Sequence, residues 1–338
     1  MSESRPAAFG PADTWPAPGT LARGLCNVEG PTVGPGGWIL NVNSLSRPSE
    51  PDWPTRGGDV TATHLDQPGE TTVLFNTSTE DVEGIPCALA FGPDEALYIP
   101  DEGRRSIVRV SSTGEIEDFI THLRDERING ANDLVFDPDG NLYFTDPWTS
   151  SPRNPIAGVY GYSWSSGELH RIDSGMQFTN GISIWEDRLL VAETYTRMIW
   201  SYELEGGGKA GDRQPFCELP DVADAPPLPP NVQETLGVEY VCGPDGMACD
   251  AEGRLYVAHY SAAGVFVYGP SGEHLDTIPT PGVIPTNVCF GGPDHDQLFV
   301  TVDDIGELIV YDIGIPGQRL PFCPSSGGDH GWAAMLPG

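Results

Sequence analysis

The stretch ANDLVFDPDGNLYFTDPW, Ala131 to Trp148, decides the fold. Its apolar runs LVF and NLYF flank DPDG, a hairpin turn in which Pro138 presets φ and Gly140 takes the positive φ that closes the loop. A hairpin has no need of the polar residues at its open end, Asn132 and Asp133 on one strand and Asp146 on the other. They gain meaning because the pattern recurs. FGPDEALYIPDEG (91–103) and CDAEGRLYVAHY (249–260) repeat it, and ISIWEDRLLVAET (182–194), FGGPDHDQLFVTVD (290–303) and VGPGGWILNVN (33–43) are looser copies. The apolar residue after each turn falls at Ile39, Leu97, Leu142, Leu189, Leu255 and Leu298. Most copies are followed by a further pair of strand-like runs, so six four-stranded units of about 45 residues or more are expected. The expected fold is all-β, a six-bladed β-propeller, whose radial closure also removes exposed sheet edges.

Bulk properties agree with this architecture. Of 338 residues, 42 are Gly and 33 are Pro, a share of turn chemistry that favours many short strands. The net charge of −32 opposes nucleic acid and anionic membrane surfaces, which leaves a small molecule as the expected partner and says nothing of oligomeric state. The seven cysteines form no CxxC pair and read as small buried hydrophobes, which suits a reducing, cytoplasmic setting. No run of about 18 apolar residues and no apolar leader is expected to act as a membrane span or signal peptide.

Seven residues before the turn position, the six copies carry Glu29, Cys87, Asn132, Asn180, Asp245 and Asn287. The first strand of each propeller blade lines the central axis, so these residues form a ring at one mouth of the channel. Two carboxylates that close repel unless a cation lies between them. Carboxylate and amide oxygens suit a hard divalent cation, Ca²⁺ ahead of Mg²⁺ or Mn²⁺, with Zn²⁺ last because Cys87 is the ring's one soft donor. A second ring is expected where the returning strand ends, at Asn43, Asp101, Asp146, Glu193, His259 and, one residue late, Asp303. Its members should orient the ligands, shape the pocket or touch substrate.

VEGPTV around Glu29, NGANDLVFDPDGNLYFTDP around Asn132, TNGISI around Asn180 and PDGMACDAEGRLYVA around Asp245 resemble the SMP-30/gluconolactonase/LRE-like family over about residues 25–312. The resemblance implies one catalytic divalent cation in the central channel, held by Glu29, Asn132, Asn180 and Asp245. It also implies metal-dependent hydrolysis of a lactone or related ester, or of an organophosphate, with Asp245 as general base. Asp133 is the alternative base, and Cys87 and Asn287 become pocket-lining residues. Trp148, Tyr195 and Tyr260 follow second-ring positions and suggest a less polar ligand, alongside Asp146, Glu193 and His259. Gly130 stands where animal lactonases carry an Arg that helps hold a sugar. A recruited biosynthetic enzyme and a non-catalytic metal-containing binding propeller are the alternative readings.

The expected organisation is an N-terminal extension (1–20), one propeller (21–322) and a C-terminal tail (323–338). Proline-rich insertions at 44–66 and 219–241 should cover the ligand mouth and set specificity. Either LARGL (21–25) or RLPF (319–322) could supply the strand that closes the last blade.

Overall fold

The computed structural model describes residues 15–222, 225, 227, 228, 230–323, 332, 335 and 336. Six antiparallel sheets follow one another along the chain, and the protein is a six-bladed β-propeller. Blade one is Val28–Val33, Trp38–Asn43, Asp59–His64 and Thr71–Asn76; blade two is Ala90–Phe91, Leu97–Asp101, Ser106–Val110 and Ile116–Ile120. Blade three is Leu134–Phe136, Leu142–Asp146, Ala157–Tyr162 and Leu169–Met176. Blade four is Thr179–Trp185, Arg188–Glu193, Met198–Gly206 and Gln214–Glu218; blade five is Gly243–Cys249, Leu255–Tyr260, Gly264–Tyr268 and His274–Pro279. Blade six takes Pro285–Gly291, Gln297–Val302 and Glu307–Asp312, and its outer strand is Gly19–Arg23 from the start of the chain.

That last pairing settles the closure. Gly19 lies opposite Val310 and Arg23 opposite Glu307, so the N-terminal strand clasps the final blade. Leu320–Phe322 forms no strand there; Phe322 packs edge-on against Phe136 at 5.9 Å, and Leu320 to Cys323 close the lower end of the channel. Of the tail, Trp332 is buried against Phe91, and its indole N–H donates to the Glu95 carbonyl at 2.8 Å. Most of 324–338, and residues 1–14, lie outside the described residues.

The repeated turn is held by its own aspartate. Asp137 accepts from the backbone N–H of Asp139 at 2.9 Å and of Asn141 at 2.8 Å, and Tyr143 donates its hydroxyl to the same carboxylate. Asp250 does the same for Glu252, Arg254 and Tyr256. Thus the Asp that opens the turn and the Tyr that follows it form one unit, which explains the recurring D-x-x-G-x-L-Y. The apolar residues marked by the turn lie in register with the inner strand, Leu97 opposite Phe91, Leu142 opposite Phe136 and Leu255 opposite Cys249.

The core lies between blades. Leu40, Val42 and Val60 of blade one pack on Leu89, Leu97 and Val108 around blade two, and Tyr98 of blade two packs with Leu134, Phe136 and Phe144 of blade three. The insertion expected at 44–66 is shorter, because Asp59–His64 is the third strand of blade one. DVTATH looks polar, yet Thr61 and Thr63 are fully buried, so β-branched shape outweighed polarity at this position. The second insertion contains a helix, Pro230–Leu236. Among the described residues no helix is long and apolar enough to cross a membrane.

Candidate metal centre

The inner strands lose their regular pairing where the ring residues sit. Register shifts fall between Glu29 and Thr32, between Thr179 and Ile182, between Pro244 and Met247, and between Pro285 and Asn287. In blade three Asn132 and Asp133 stand just before the ladder that starts at Leu134. A bulge breaks the in–out alternation of a strand and re-aims the residue it carries. The same irregularity around the ring turns side chains toward the channel.

Close packing of neighbouring strands supports this. A Cβ on Gly30 would stand 2.4 Å from the Ala88 Cα, one on Gly181 2.2 Å from the Asp245 carbonyl oxygen, and one on Gly246 within 2.0 Å of the Asn287 carboxamide. Each of these glycines directly follows Glu29, Asn180 or Asp245, so the residue after the acid or amide must lack a side chain. Hydroxyls tie adjacent blades at the same level. Thr145 donates to the Asn180 carbonyl, Thr194 to that of Pro244 and Thr286 to that of Val28, each at 2.8 Å.

Asp245 is buried and Glu29 half-buried, and the charge of Asp245 is felt at Glu29. Burial first, then the charge of Asp245, pushes the Glu29 carboxyl well above its ordinary range; burial and then Asp133 do the same to Asp245. The Asn180 amide hydrogen-bonds Asp245 and donates to Thr194 Oγ1 at 3.1 Å. The Asn132 amide donates to Glu102 Oε1 at 3.0 Å. Asp133 accepts from Leu134 N at 2.7 Å, from Ile182 N at 3.2 Å and from the Asn287 side chain, and burial lifts it to about 7. Blades three and six stand opposite each other, so the Asp133–Asn287 pair bridges the axis. Below it lies an apolar cavity lined by Leu134, Ile182, Met247 and Val288, which is the lower channel rather than the acidic mouth.

The second ring is hydrogen-bonded to the linkers between blades. Asp146 accepts from Asn129 N at 2.8 Å and Gly130 N at 2.7 Å; Asp101 accepts from Ile85 N at 2.8 Å and Arg104 N at 2.9 Å. Asn43 accepts from Cys26 N at 2.9 Å. Glu193 takes the Gln177 N–H, the Thr196 hydroxyl and the Trp200 indole N–H, and His259 Nε2 lies 2.8 Å from the Pro220 carbonyl oxygen. Asn43, Asp101, Asp146 and Glu193 thus accept backbone N–H groups of the linker that leads into their own blade, which would otherwise be buried without acceptors, and His259 holds its linker through the Pro220 carbonyl. Asp146, Glu193 and His259, expected at the pocket, make these bracing contacts.

Other side chains lie near the two acids. Tyr260 is perturbed upward by burial and then by the charges of Asp303, Asp245 and Glu29, and Tyr195 stands beside it. Cys87 is buried next to Glu102 and Glu29, which with burial push its thiol well up. Trp148 packs on Gly130, where an added Cβ would come within 2.7 Å of it. The first insertion reaches the mouth through Arg47, which pairs with Asp303 at 2.5 Å and lies over Trp53 at 5.3 Å from the ring centroid. Sequence reasoning missed Glu102 and Arg47. Glu102 shares its offset from the turn with Asp303 of blade six, but Arg47 stands at no recurring position.

Among the described residues no three His, Cys, Asp or Glu side chains form one metal-ligand group. Glu29, Asn132, Asn180 and Asp245 are instead two acids and two amides, an oxygen set that fits a hard divalent cation and would relieve the repulsion between the two carboxylates.

Comparisons with known proteins agree. The family model described as SMP-30/Gluconolactonase/LRE-like region matches residues 59–303. Diisopropyl-fluorophosphatase of Loligo vulgaris is 26% identical over 249 residues, 69% of this chain and 73% of that protein. A gluconolactonase of Zymomonas mobilis is 29% identical over 215 residues, covering 59% of this chain and 56% of its own. Among solved structures, the calcium-binding protein regucalcin of Agrobacterium tumefaciens superposes with a TM-score of 0.69 at 21% identity, covering 91% of this chain and 97% of that one. Propeller architecture, ring positions and the family match converge: the chain belongs to the SMP-30/gluconolactonase/LRE-like family.

Proposed function

We propose that this protein is a divalent-metal-dependent hydrolase that opens a lactone or related ester. The observation that carries the reading is the pair of mutually repelling carboxylates, half-buried Glu29 and buried Asp245, with the Asn132 and Asn180 amides beside them. Two desolvated like charges are costly in a scaffold and useful in a cation site. The lactonase and fluorophosphatase names of the relatives point the same way.

Glu29, Asn132, Asn180 and Asp245 would hold the cation, Ca²⁺ first. When bound, it supplies Lewis-acid polarisation of the substrate carbonyl and charge stabilisation for the developing oxyanion. Asp245 takes the proton of the attacking water. Asp133 is the weaker choice of base, because its oxygens already accept from Leu134 N and Ile182 N. Its work is to hold the inner strand of blade four and, with Asn287, to floor the site. Tyr260 and Tyr195 form an aromatic wall that excludes water from the reacting carbonyl, and Arg47 pins the first insertion over the mouth.

Acid release in a pH-stat tests the reading, with lactones from sugar to aliphatic and aromatic, each run with Ca²⁺, with Mn²⁺ and with excess chelator. Turnover that needs metal and is lost in Glu29→Gln is the expected result. No turnover across the panel by a protein that binds Ca²⁺ tightly would overturn the hydrolase reading in favour of a binding propeller.

A further inference from the structure

Glu102 stands one residue after the second-ring position Asp101, at the offset that Asp303 holds in blade six. It follows the last residue of the strand Leu97–Asp101, is 5% exposed, and reaches the metal centre from blade two. Its Oε1 accepts the Asn132 amide N–H at 3.0 Å. Among the described residues its other oxygen has no hydrogen-bond partner, and its charge is felt at both Cys87 and Asp245, so it stands at the pocket. The backbone around it is fixed. Glu102 N donates to the Ile85 carbonyl at 2.9 Å, and the Glu102 carbonyl lies where a Cβ on Gly130 would fall, 2.9 Å away.

A carboxamide can present either its oxygen or its NH₂ to a given direction, and only the oxygen ligates a cation. Burial, with the charges of Asp101 and Asp146, lifts the Glu102 carboxyl to about 8 in the metal-free chain, and a cation in the channel favours its ionised form. The ionised carboxylate has no proton to donate, so an Asn side chain facing it must turn its NH₂ that way. We propose that Glu102 is a positioning residue that turns Asn132 so that its amide oxygen faces the channel axis, and that its unpartnered oxygen makes the pocket favour uncharged, hydroxyl-bearing substrates over anionic ones. The first half is independent of the reaction; the second rests on the lactonase reading. The physical basis of the second is short-range. A free carboxylate oxygen accepts a hydrogen bond from a substrate hydroxyl and repels a substrate carboxylate. At the same offset from the turn blade six carries Asp303, which is paired with Arg47, so Glu102 is the acid at this offset whose second oxygen stays open to substrate.

Calorimetric titration of Ca²⁺ into the chelator-stripped full chain tests the first half, with the wild type, Glu102→Gln and Glu102→Ala. Partners of a metal ligand commonly carry 10–100-fold in metal affinity, so Glu102→Ala should weaken Ca²⁺ at least about tenfold. Glu102→Gln keeps an acceptor oxygen for Asn132 and should recover most of that loss. Affinity in Glu102→Ala within about twofold of the wild type would overturn the positioning role, as would equal losses in both variants, which would mean charge alone. The near-isosteric Glu102→Gln keeps the comparison available if Glu102→Ala does not fold. The second half is read from kcat/KM on a neutral hydroxylated lactone and on a lactone of similar size bearing a carboxylate. The neutral-to-anionic ratio should fall severalfold in Glu102→Gln, and an unchanged ratio would overturn it. If the wild type opens no lactone, the hydrolase reading fails, while the Ca²⁺ titration still decides what Glu102 does to Asn132.

Discussion

Gly181 lies so close to the backbone of Asp245 that a Cβ there would stand 2.2 Å from the Asp245 carbonyl oxygen. The two residues belong to adjacent inner strands, Thr179–Trp185 and Gly243–Cys249, and each strand carries one proposed ligand at its bulge. The spacing of the ligands is thus set by how closely two backbones approach. Gly181→Ala should force those strands apart at a cost of about 1–3 kcal/mol, the usual range for overpacking, and weaken Ca²⁺ binding as well. Urea unfolding and calorimetric titration check the two effects together. A variant of unchanged stability and Ca²⁺ affinity would show that the strands yield freely.

Glu29 and Asp245 oppose each other in the folded chain, so each destabilises the metal-free protein when both are ionised. Glu29→Gln removes that repulsion. In excess chelator the variant should unfold at a higher temperature than the wild type. With Ca²⁺ at a hundredfold over Kd the wild type should gain about 2.7 kcal/mol by mass action and the order should reverse. Melting curves with and without Ca²⁺ decide it; parallel shifts of both proteins would count against Glu29 as a ligand.

His259 is buried, and its ring nitrogens face the Pro220 and Tyr260 carbonyls. Burial lowers its pKa below the ordinary histidine value, because the charged ring loses its hydration. A histidine whose folded pKa is lowered contributes stability that is fully present above the unfolded value and is lost as pH falls through the folded one. Its contribution should therefore be intact at neutral pH and decline on the acid side. Unfolding free energies across that range, compared with His259→Gln, test this, since the variant should lose less between neutral and acid pH.

Trp332 lies in the tail yet is 1% exposed, packed edge-on to Phe91 at 5.6 Å. Trp332→Ala should cost about 3–5 kcal/mol, as for other large buried aromatics, without changing Ca²⁺ affinity, since Phe91 and Glu95 lie at the turn end of blade two rather than the ligand end. Denaturant unfolding beside a metal titration separates the two outcomes. A loss of Ca²⁺ binding would mean that blade two transmits strain to the ring.

The repeat was open to sequence reading because each copy holds its own information. The turn Asp, the Gly and the following Tyr interact within a few residues, as Asp137, Gly140 and Tyr143 do, so the pattern survives in the linear chain. The ring positions Glu29, Asn132, Asn180 and Asp245 were legible for the same reason, being at a constant offset from those turns. The second ring was legible as a pattern, but its hydrogen bonds to the linkers were not. Nothing in the sequence distance between Asp146 and Asn129 says that their separation closes to a 2.8 Å hydrogen bond. Arg47 and the closing strand had no repeat to mark them, and among acids Glu102 shared its offset only with Asp303.

Local hydrogen bonding and hydrophobic alternation, which act over fewer than ten or so residues, are written into the sequence, and they determined the strands, the blade number and which residues stand at the mouth. Contacts between distant segments depend on how six blades close on one another. The tertiary structure alone decided that Gly19–Arg23 pairs with Glu307–Asp312, that Asp133 meets Asn287 across the axis, and that Glu102 accepts the amide N–H of Asn132. These contacts lie between 30 residues apart, for Glu102 and Asn132, and 287 residues apart, for Thr20 and Glu307. Closure of the propeller supplies the proximity that chain order does not.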